Sequence, residues 1–315
     1  MNVNVLVETQ GLTREEWLNH RKKGLGGSDI AAILGLSPWN SAVELWLNKT
    51  GQKKDIPESN EAMEWGNRME AILRDYFTEV TNKEVIQIHA ILQHPEIPYL
   101  LADIDGLTYT DAGEPAVLEL KTVSAFKESE WSSGVPAYYE VQIRHYLMVT
   151  GLKKAYCLAL FGGNHARIYE IDADESIEEM LLHEEKTFWS HVVNMTKPPM
   201  DASDAAKKLL DDMFKGGIQE EVVLPEQAIE FLDLYLEASA ECENAKEKMQ
   251  YASNNLKEFL GDYNSARCQG HTITWKPIST ERLNSKLLKE EMPEIYENYT
   301  QVSVSRRFSV RDSVK

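Results

Sequence analysis

The segment that most constrains the fold of this chain is ADIDGLTYTDAGEPAVLELKTV, residues 102–123. Two β-rich stretches stand on either side of a turn at residues 111–113, which predicts a strand hairpin. Asp105 lies at the end of the first strand, and the period of two places Glu119 and Lys121 on one face of the second. Because that second strand is otherwise apolar, the two charges are unfavourable unless both find partners.

A divalent cation and a phosphate would supply those partners. The carboxylates of Asp105 and Glu119 are hard oxygen ligands suited to magnesium. Lys121 can orient or deprotonate water and can stabilise a developing negative charge. The residues alone leave a second interpretation open, in which Glu119 and Lys121 form a simple ion pair on an amphipathic strand.

Two helical segments carry further polar residues beside apolar faces. Gln142 shares a helix face with Tyr138 and Tyr146, at steps of four residues. Glu70 flanks the apolar face of an earlier helix. Taken alone, Gln142 also fits a satisfied core amide, and Glu70 also fits an ordinary solvated glutamate.

The hydrophobic pattern to residue 200 predicts helices, then three strands, a helix, two strands and a closing helix. This order indicates an α/β (α+β) core with one central mixed sheet flanked by helices. The proline pair at residues 198–199 predicts a boundary between domains 1–200 and 201–315. More specific expectations are a helix from Thr13 to about Arg21, a helix N-cap at Ser28, and a continuous β-rich segment over residues 99–110.

The C-terminal extension differs from the first domain in that its sequence pattern is mainly helical. Residues 225–261 contain no internal glycine or proline, and apolar residues recur at helical spacing. One long helix of about 50 Å and a helical hairpin both fit this pattern. A short β segment, HTITWKP, and a helix-plus-strand tail are expected to follow.

Net charge, taken over the whole chain, argues against a nucleic-acid partner. The 315 residues include 33 Lys and Arg against 51 Asp and Glu, a net charge of -18, whereas phosphate binding depends on basic residues. The acid is unevenly spread, however: residues 1–60 have seven acids and seven bases, while residues 201–260 have 14 acids and six bases. A locally basic groove therefore stays compatible with the composition.

Targeting signals and cysteine motifs are absent from the sequence. No apolar run reaches the roughly 18 residues needed to span a bilayer, and the N-terminus does not resemble a signal peptide. Three widely spaced cysteines form neither a metal-binding pair nor a disulfide framework, which fits a reducing cytoplasm.

Residues 17–39 read WLNHRKKGLGGSDIAAILGLSPW. A glycine-rich loop lets backbone amides approach a phosphate, and Arg21 adds a bidentate donor beside it. The GGSD stretch also fits a helix cap with a tight turn, and the residues alone do not decide between the two interpretations.

Together with D-G…E-L-K and Q-x-x-x-Y, this segment closely resembles the YqaJ-like phage recombination exonucleases, of the lambda exonuclease family and the PD-(D/E)-x-K nuclease superfamily. The resemblance covers about residues 12–200 in consistent order. It implies a restriction-endonuclease-like core. It also implies a magnesium-dependent 5′→3′ exonuclease that digests one strand of linear duplex DNA and leaves 3′ overhangs for recombination by strand annealing.

The same resemblance implies cofactors and partners. Two Mg²⁺ ions per active site, roughly 4 Å apart, are expected, with Mn²⁺ as a substitute. A ring-shaped homotrimer would encircle DNA ends, and a single-strand annealing protein of the RecT/Beta type would receive the product. A phage or prophage gene acting in the bacterial cytoplasm is expected.

The active-site residues follow from the resemblance one by one. Asp105, Glu119 and Lys121 fall on the metal-binding and catalytic positions. The main-chain carbonyl of Leu120 falls on a common metal ligand of this fold. Glu70 matches the W-G-x-x-x-E position, which adds a carboxylate to the active site.

The resemblance also assigns roles to the flanking elements. Gln142 and Tyr146 match the helix beside the active site. Trp17, Arg21 and Ser28 match the family's W-x-x-x-R and the serine seven residues later. The arginine and the serine of that motif are implied to hold the 5′-terminal phosphate of the DNA.

Two positions depart from the family pattern. The family often has Q-V-Q where this chain has Gln142-Ile143-Arg144, so Arg144 adds charge where a second amide is usual. Arg144 is expected to support the site together with Trp17 and Tyr146. Ile104 stands where the family has proline before the catalytic aspartate. The alternative functions are an endonuclease or Cas4/RecB-like nuclease, and a non-catalytic DNA-end adaptor that recruits an annealing protein.

Overall fold

The computed structural model of the chain describes residues 3–53, 61–218, 220–302 and 305–311. It divides into two compact units, residues 1–214 and 215–315. The first unit contains a mixed sheet with helices, and the second contains a long helix, a small hairpin and two short helices.

Within the described residues of the first unit, the strands form two sheets. The first is antiparallel with strand order β1-β2-β3, and the second has strand order β4-β5-β6-β7. The strands are β1 (Asn4–Glu8), β2 (Ala90–Gln93), β3 (Leu101–Ala102), β4 (Gly106–Tyr109), β5 (Pro115–Val123), β6 (Lys154–Phe161) and β7 (His165–Asp172).

The second sheet is mixed. Strands β5 and β6 are parallel, whereas β4 pairs with β5 and β7 with β6 in antiparallel fashion. A parallel pair needs a crossover connection, and the helix over residues 137–150 provides it. The predicted α/β class with a central mixed sheet is confirmed; the antiparallel sheet beside it was not expected.

Capping residues mark the ends of two helices of the first unit. Thr13 and Glu16 form a capping box at the start of α1, and Gly151, with φ of 68°, ends α5. The bounds are α1 (Arg14–Arg21), α2 (Gly27–Ile33), α3 (Ala42–Lys49), α4 (Glu61–Thr81), α5 (Ala137–Thr150), α6 (Glu175–Val193) and α7 (Asp204–Met213), with a 3-10 helix at Ala125–Trp131.

Strand β5 lies between two helices, and this placement decides which way its side chains face. Leu118 and Leu120 pack with Leu73 and Phe77 of α4 in one core cluster. Val117 packs on the opposite side, in the cluster that contains apolar residues of α5. Because side chains alternate along a strand, Glu119 faces the α5 side with Val117.

The β-rich segment over residues 99–110 is interrupted, contrary to the prediction of one continuous stretch. Strand β3 ends at Ala102 and pairs with β2, whereas β4 begins at Gly106 and pairs with β5 in the other sheet. The chain therefore changes sheets across residues 103–105. Asp105 lies in this connection, just before β4.

The second unit contains α8 (Ala228–Leu260), one continuous helix of 33 residues. The helical-hairpin alternative is therefore wrong. Strands β8 (Ser265–Cys268) and β9 (His271–Thr274) form a hairpin, and α9 (Ser285–Glu291) and α10 (Pro293–Asn298) follow. The expected tail strand is not found over the described residues 299–302 and 305–311.

None of the helices in the described part of the chain combines the length and the apolar character that crossing a bilayer requires.

Candidate active site

Glu119 and Lys121 meet beneath helix α5. The Lys121 Nζ donates to Glu119 Oε1 at 2.5 Å, and the Gln142 side-chain amide donates to the same oxygen at 2.8 Å. Lys121 also donates to Gln142 Oε1 at 3.3 Å. Side chains from strand β5 and helix α5 thus form one hydrogen-bonded group.

The second oxygen of Glu119 is the most informative atom of this group. Glu119 Oε2 is buried and has no hydrogen-bond partner. Burial, reinforced by the neighbouring carboxylate of Asp105, raises the pKa of Glu119. A buried carboxylate oxygen without a partner is costly, so this position favours an added cation.

Asp105 closes the site from the connection before β4. Its Oδ2 accepts from the backbone N–H of Leu120 at 2.8 Å, which ties the connection to β5. Arg74 of α4 donates to the Asp105 carbonyl at 3.0 Å and approaches Glu70 Oε2 at 3.5 Å. Burial is also the main cause of the raised pKa of Asp105 and of Glu70.

The donor set fits a hard divalent cation. Three carboxylates with raised pKa values and one partnerless buried oxygen supply oxygen ligands of the kind that magnesium prefers. Over the residues that the structure describes, no three acidic, His or Cys side chains are already gathered around one point. In this structure Lys121, Arg74 and the Leu120 N–H contact these carboxylates.

Arg21 and Ser28 also come together. Arg21 Nη2 donates to Ser28 Oγ at 2.6 Å, and its guanidinium lies 4.8 Å from the ring centroid of Trp17. The Trp17 indole N–H donates to Asp103 at 2.9 Å. Trp17 is thus anchored by Asp103 and in turn carries the guanidinium.

The predicted N-cap at Ser28 is wrong. Helix α2 begins at Gly27, and Asp29 accepts from the backbone N–H of Gly26 at 2.9 Å. Lys49 pairs with the same carboxylate at 2.7 Å. Because Asp29 provides the cap, the hydroxyl of Ser28 is left to contact Arg21.

Gly27 joins the two groups of polar residues. A Cβ at this position would lie 2.5 Å from a ring carbon of Tyr146 and 2.9 Å from Cγ of Gln142. Only glycine therefore lets the loop approach α5 this closely. Gln142 also donates to the Tyr146 hydroxyl at 3.1 Å, so α5 contacts both the loop and Glu119.

A cavity of about 800 Å³ is lined by residues of both groups, although Glu119 is not among them. Its wall includes Trp17, Arg21 and Ser28 at one side and Glu70, Asp105, Lys121, Gln142 and Tyr146 at the other. A neighbouring cavity of about 410 Å³ shares Glu70, Asp105, Lys121 and Gln142, and adds Glu119, Leu120, Trp39 and Tyr139.

Arg144 does not reach this site. It pairs with Glu140, one turn earlier on α5, and donates to the Asp172 carbonyl at 3.1 Å. Two residues along a helix correspond to about 200° of rotation, so Arg144 faces away from Gln142. The proposed supporting role of Arg144 in the site is therefore not supported by its position.

Three site residues were missed in the sequence. Asp103 stands two residues before Asp105, and that spacing of paired carboxylates was an available signal. Arg74 follows Glu70 by one helical turn, which also could have indicated a contact. The aromatic residue Trp39, in the cavity wall next to Tyr139, gave no signal beyond its place in a turn.

Comparison with known proteins gives the family. The model of the YqaJ-like viral recombinase domain matches residues 16–153. The protein YqaJ of Bacillus subtilis (strain 168) is 33% identical over 313 residues, which cover 98% of this chain and 97% of that protein.

Solved structures also match part of this chain. LHK-Exo in complex with dAMP is 20% identical, with a TM-score of 0.49, over 58% of this chain and 94% of that chain. The alkaline exonuclease LHK-Exo from Laribacter hongkongensis gives 18% identity and a TM-score of 0.47 over the same shares. On the family model and on the near full-length match to the Bacillus protein, this chain belongs to the YqaJ-like viral recombinase family.

Proposed function

We propose that this member of the YqaJ-like family is a magnesium-dependent 5′→3′ exonuclease of the PD-(D/E)-x-K type that acts on linear double-stranded DNA. One observation carries the proposal: the carboxylate of Glu119, with its buried, partnerless oxygen, is held by Lys121 and Gln142, and these two residues line the same cavity as the Arg21–Ser28 pair. The carboxylates around Glu119 suit a metal at the phosphate that is cleaved, and the Arg21–Ser28 pair suits a terminal phosphate.

The metal would be held by side chains of three elements. Asp105, Glu119 and Glu70 are the carboxylates that would hold the proposed pair of Mg²⁺ ions, with the Leu120 carbonyl beside them and Mn²⁺ as a substitute. When bound, the metal supplies Lewis-acid polarisation of the phosphate and lowers the pKa of water.

Lys121 acts as a cation in this scheme. Burial opposes its charge, but Glu119 and Asp105 together raise the pKa of Lys121. It therefore stays protonated at neutral pH, which favours orientation of water and stabilisation of phosphate charge over removal of a proton. Gln142 positions the ammonium through its Oε1 contact.

Arg21 and Ser28 bind the 5′-terminal phosphate. The guanidinium is held over Trp17 and offers N–H donors to the cavity, and the Ser28 hydroxyl lies beside it. An end phosphate bound here places the next phosphodiester near the carboxylates of the same cavity. Each hydrolysis then releases a mononucleotide, and the 5′ strand is shortened stepwise.

The remaining strand would end in a 3′ overhang. We place this product in phage-type recombination, with a single-strand annealing protein of the RecT/Beta type as its recipient. A homotrimeric ring around the duplex is the proposed assembly, and the cytoplasm of a bacterial host is the proposed compartment.

Lys121→Met tests the active site, since methionine keeps the length of the side chain and removes its charge. Magnesium-dependent digestion of linear duplex should fall by roughly a thousand-fold, the scale of lost transition-state charge stabilisation. Circular dichroism and native mass should stay as in the wild type. Retained digestion by this folded variant would rule out the assignment of Lys121.

End binding is tested with 5′-phosphorylated and 5′-hydroxyl duplexes labelled at either end. The wild type should prefer the phosphorylated end, and Arg21→Ala should abolish that preference. A closed circular duplex should resist digestion. Cleavage of the circle would instead favour the endonuclease alternative.

A further inference from the structure

Helix α8 leaves large apolar side chains uncovered. Although the whole helix is described, only Leu260 among its 33 residues is buried. Phe231 is 68% exposed, Met249 72% and Phe259 88%. Isolated helices gain most of their stability from packing of an apolar face, so a helix of this length needs a partner surface.

Five of the ten large apolar residues exposed on α8 lie on a repeat of 3.5 residues: Phe231, Tyr235, Met249, Leu256 and Phe259. Alternating steps of three and four residues connect ten positions along α8, and every one of them is apolar. A repeat of this length over five heptads is typical of a coiled coil. This seam consists of Ala228, Phe231, Tyr235, Ala238, Cys242, Ala245, Met249, Ala252, Leu256 and Phe259.

We propose that α8 pairs in antiparallel orientation with α8 of a second copy of this chain, around an axis near residues 242–245. In this register, most layers of the seam join a large residue to a small one, which gives even packing. The layers are Ala228 with Phe259, Phe231 with Leu256, Tyr235 with Ala252, Ala238 with Met249, and Cys242 with Ala245.

Charge beside the seam agrees with this register. Glu241 and Lys248 are the flanking residues that face one another across an antiparallel pair, and two-fold symmetry makes that contact twice. Each Glu241 therefore meets Lys248 of the partner subunit. Opposite charges at these flanking positions set the choice of partner and orientation in coiled coils.

A parallel pair fits less well. It would stack Phe231 on Phe231 and Phe259 on Phe259, while Ala238 and Ala245 would face their own copies and leave gaps. Phe308 of the same chain already contacts Tyr235 with its ring edge, at 5.5 Å between centroids. The C-terminal tail thus covers one side of Tyr235, whereas Phe231, Met249 and Phe259 of the seam stay exposed.

The consequence is that α8 joins chains in pairs, in addition to the contacts that build a ring of nuclease units. An antiparallel helix pair is a two-fold contact and joins two chains, whatever contact builds a ring of nuclease units. The proposal therefore does not depend on the exonuclease assignment, and it can fail or succeed without changing that assignment.

The native mass of the full-length protein tests the pairing. Ala245→Glu places a charge in the middle of the seam, and Ala240→Glu places the same charge on the opposite face of the same helix. By sedimentation, Ala245→Glu should halve the mass, and Ala240→Glu should leave it unchanged. Equal masses for wild type and both variants, with equal helicity, would overturn the proposal.

Cross-linking tests the orientation. In a Cys268→Ser background, Ala245→Cys places a new thiol opposite Cys242 of the partner subunit. Diamide, which accepts the two electrons, should then convert this pair of thiols into an interchain disulfide that is seen as a dimer without reductant. The background variant with Cys242 alone should stay monomeric on the same gel. Dimers from Cys242 alone would indicate parallel helices and overturn the antiparallel register.

Discussion

The two units of this chain distribute their side chains in opposite ways. The first buries charge, with Glu119 and Lys121 under helix α5 beside an apolar core. The second exposes apolar surface, with Phe231 and Phe259 of α8 largely in solvent. Each arrangement is costly for an isolated chain, and each becomes favourable when something is added.

The kind of addition differs between the units. A buried carboxylate oxygen without a partner calls for a cation, which suits chemistry inside a cavity. An exposed heptad seam calls for another apolar helix, which suits contact between chains. The two proposals place hydrolysis in the first unit and the pairing of chains through α8 in the second, and single substitutions should affect one and spare the other.

The largest effect is expected for Glu119→Gln. Digestion of linear duplex should fall by roughly a thousand-fold, because a carboxylate at the reacting phosphate is lost. The free energy of unfolding should change by no more than about 1 kcal/mol, since the amide removes a buried charge and keeps both polar atoms. Digestion kinetics check the loss of activity, and denaturant unfolding checks the change in stability. If Glu119→Gln digests DNA as fast as the wild type, the Glu119 carboxylate has no part in the mechanism.

Two ion pairs of equal length give the next test. Asp29 and Lys49 lie 2.7 Å apart in the first unit, where the Lys49 side chain is 6% exposed, and Glu243 and Lys246 lie 2.7 Å apart on the exposed face of α8. Asp29→Ala should cost about 3 kcal/mol, because the buried ammonium of Lys49 loses its carboxylate. Glu243→Ala should cost only about 0.3 kcal/mol, because solvent screens the pair.

Urea unfolding of the full-length variants measures both costs. Similar losses for Asp29→Ala and Glu243→Ala would show that burial does not separate the units in the way proposed. Asp29→Asn serves as the control, since it keeps the cap contact with Gly26 while removing the charge.

The sequence predicts those features of the fold that depend on neighbouring residues, and it misses those that depend on contacts between residues far apart in the chain. Helix bounds such as those of α1 and α5 follow from caps and periodicity within a few residues. The strand period places Glu119 and Lys121 on one face, but the helix period only groups Gln142 with Tyr138 and Tyr146; the resemblance, not the period, brings Gln142 to the site. The sheet change at residues 103–105 was missed, since strand pairing is decided by distant partners rather than local pattern.

The same limit explains the smaller errors. Ser28 is a good N-cap residue by type, but Asp29 caps α2 because it also pairs with Lys49, which is remote in sequence. Arg144 was carried over by position in a motif, whereas its contacts with Glu140 and β7 lie on the other face of α5.

Two glycine substitutions test how tightly the loop at Gly27 packs against helix α5. Gly27→Ala should destabilise the protein by about 1–3 kcal/mol, because the added methyl overlaps the Tyr146 ring. Gly66→Ala on α4 is the control, since its nearest neighbour would be Thr122 Oγ1 at 3.7 Å and alanine favours helix. Thermal unfolding should therefore shift down for Gly27→Ala and slightly up for Gly66→Ala. A neutral Gly27→Ala would show that the loop has room to move.

The smallest effect concerns pH. His145 is fully buried, and its ring nitrogens contact Glu185 Oε1 at 2.9 Å and the Leu101 carbonyl at 2.8 Å. Burial opposes protonation, but Glu185 and the Leu101 carbonyl raise the pKa of His145 above 6.5. The charged histidine therefore stabilises the first unit fully below pH 6.5, and that contribution is lost as the pH rises through the higher folded value.

The free energy of unfolding of the wild type should therefore decline across this pH interval. His145→Gln should remove the decline, because glutamine does not titrate. His183→Gln on the exposed face of α6 is the matched control and should retain it. A decline that persists in His145→Gln would place the titrating group elsewhere and would end the claim that the buried charges of the first unit set its response to pH.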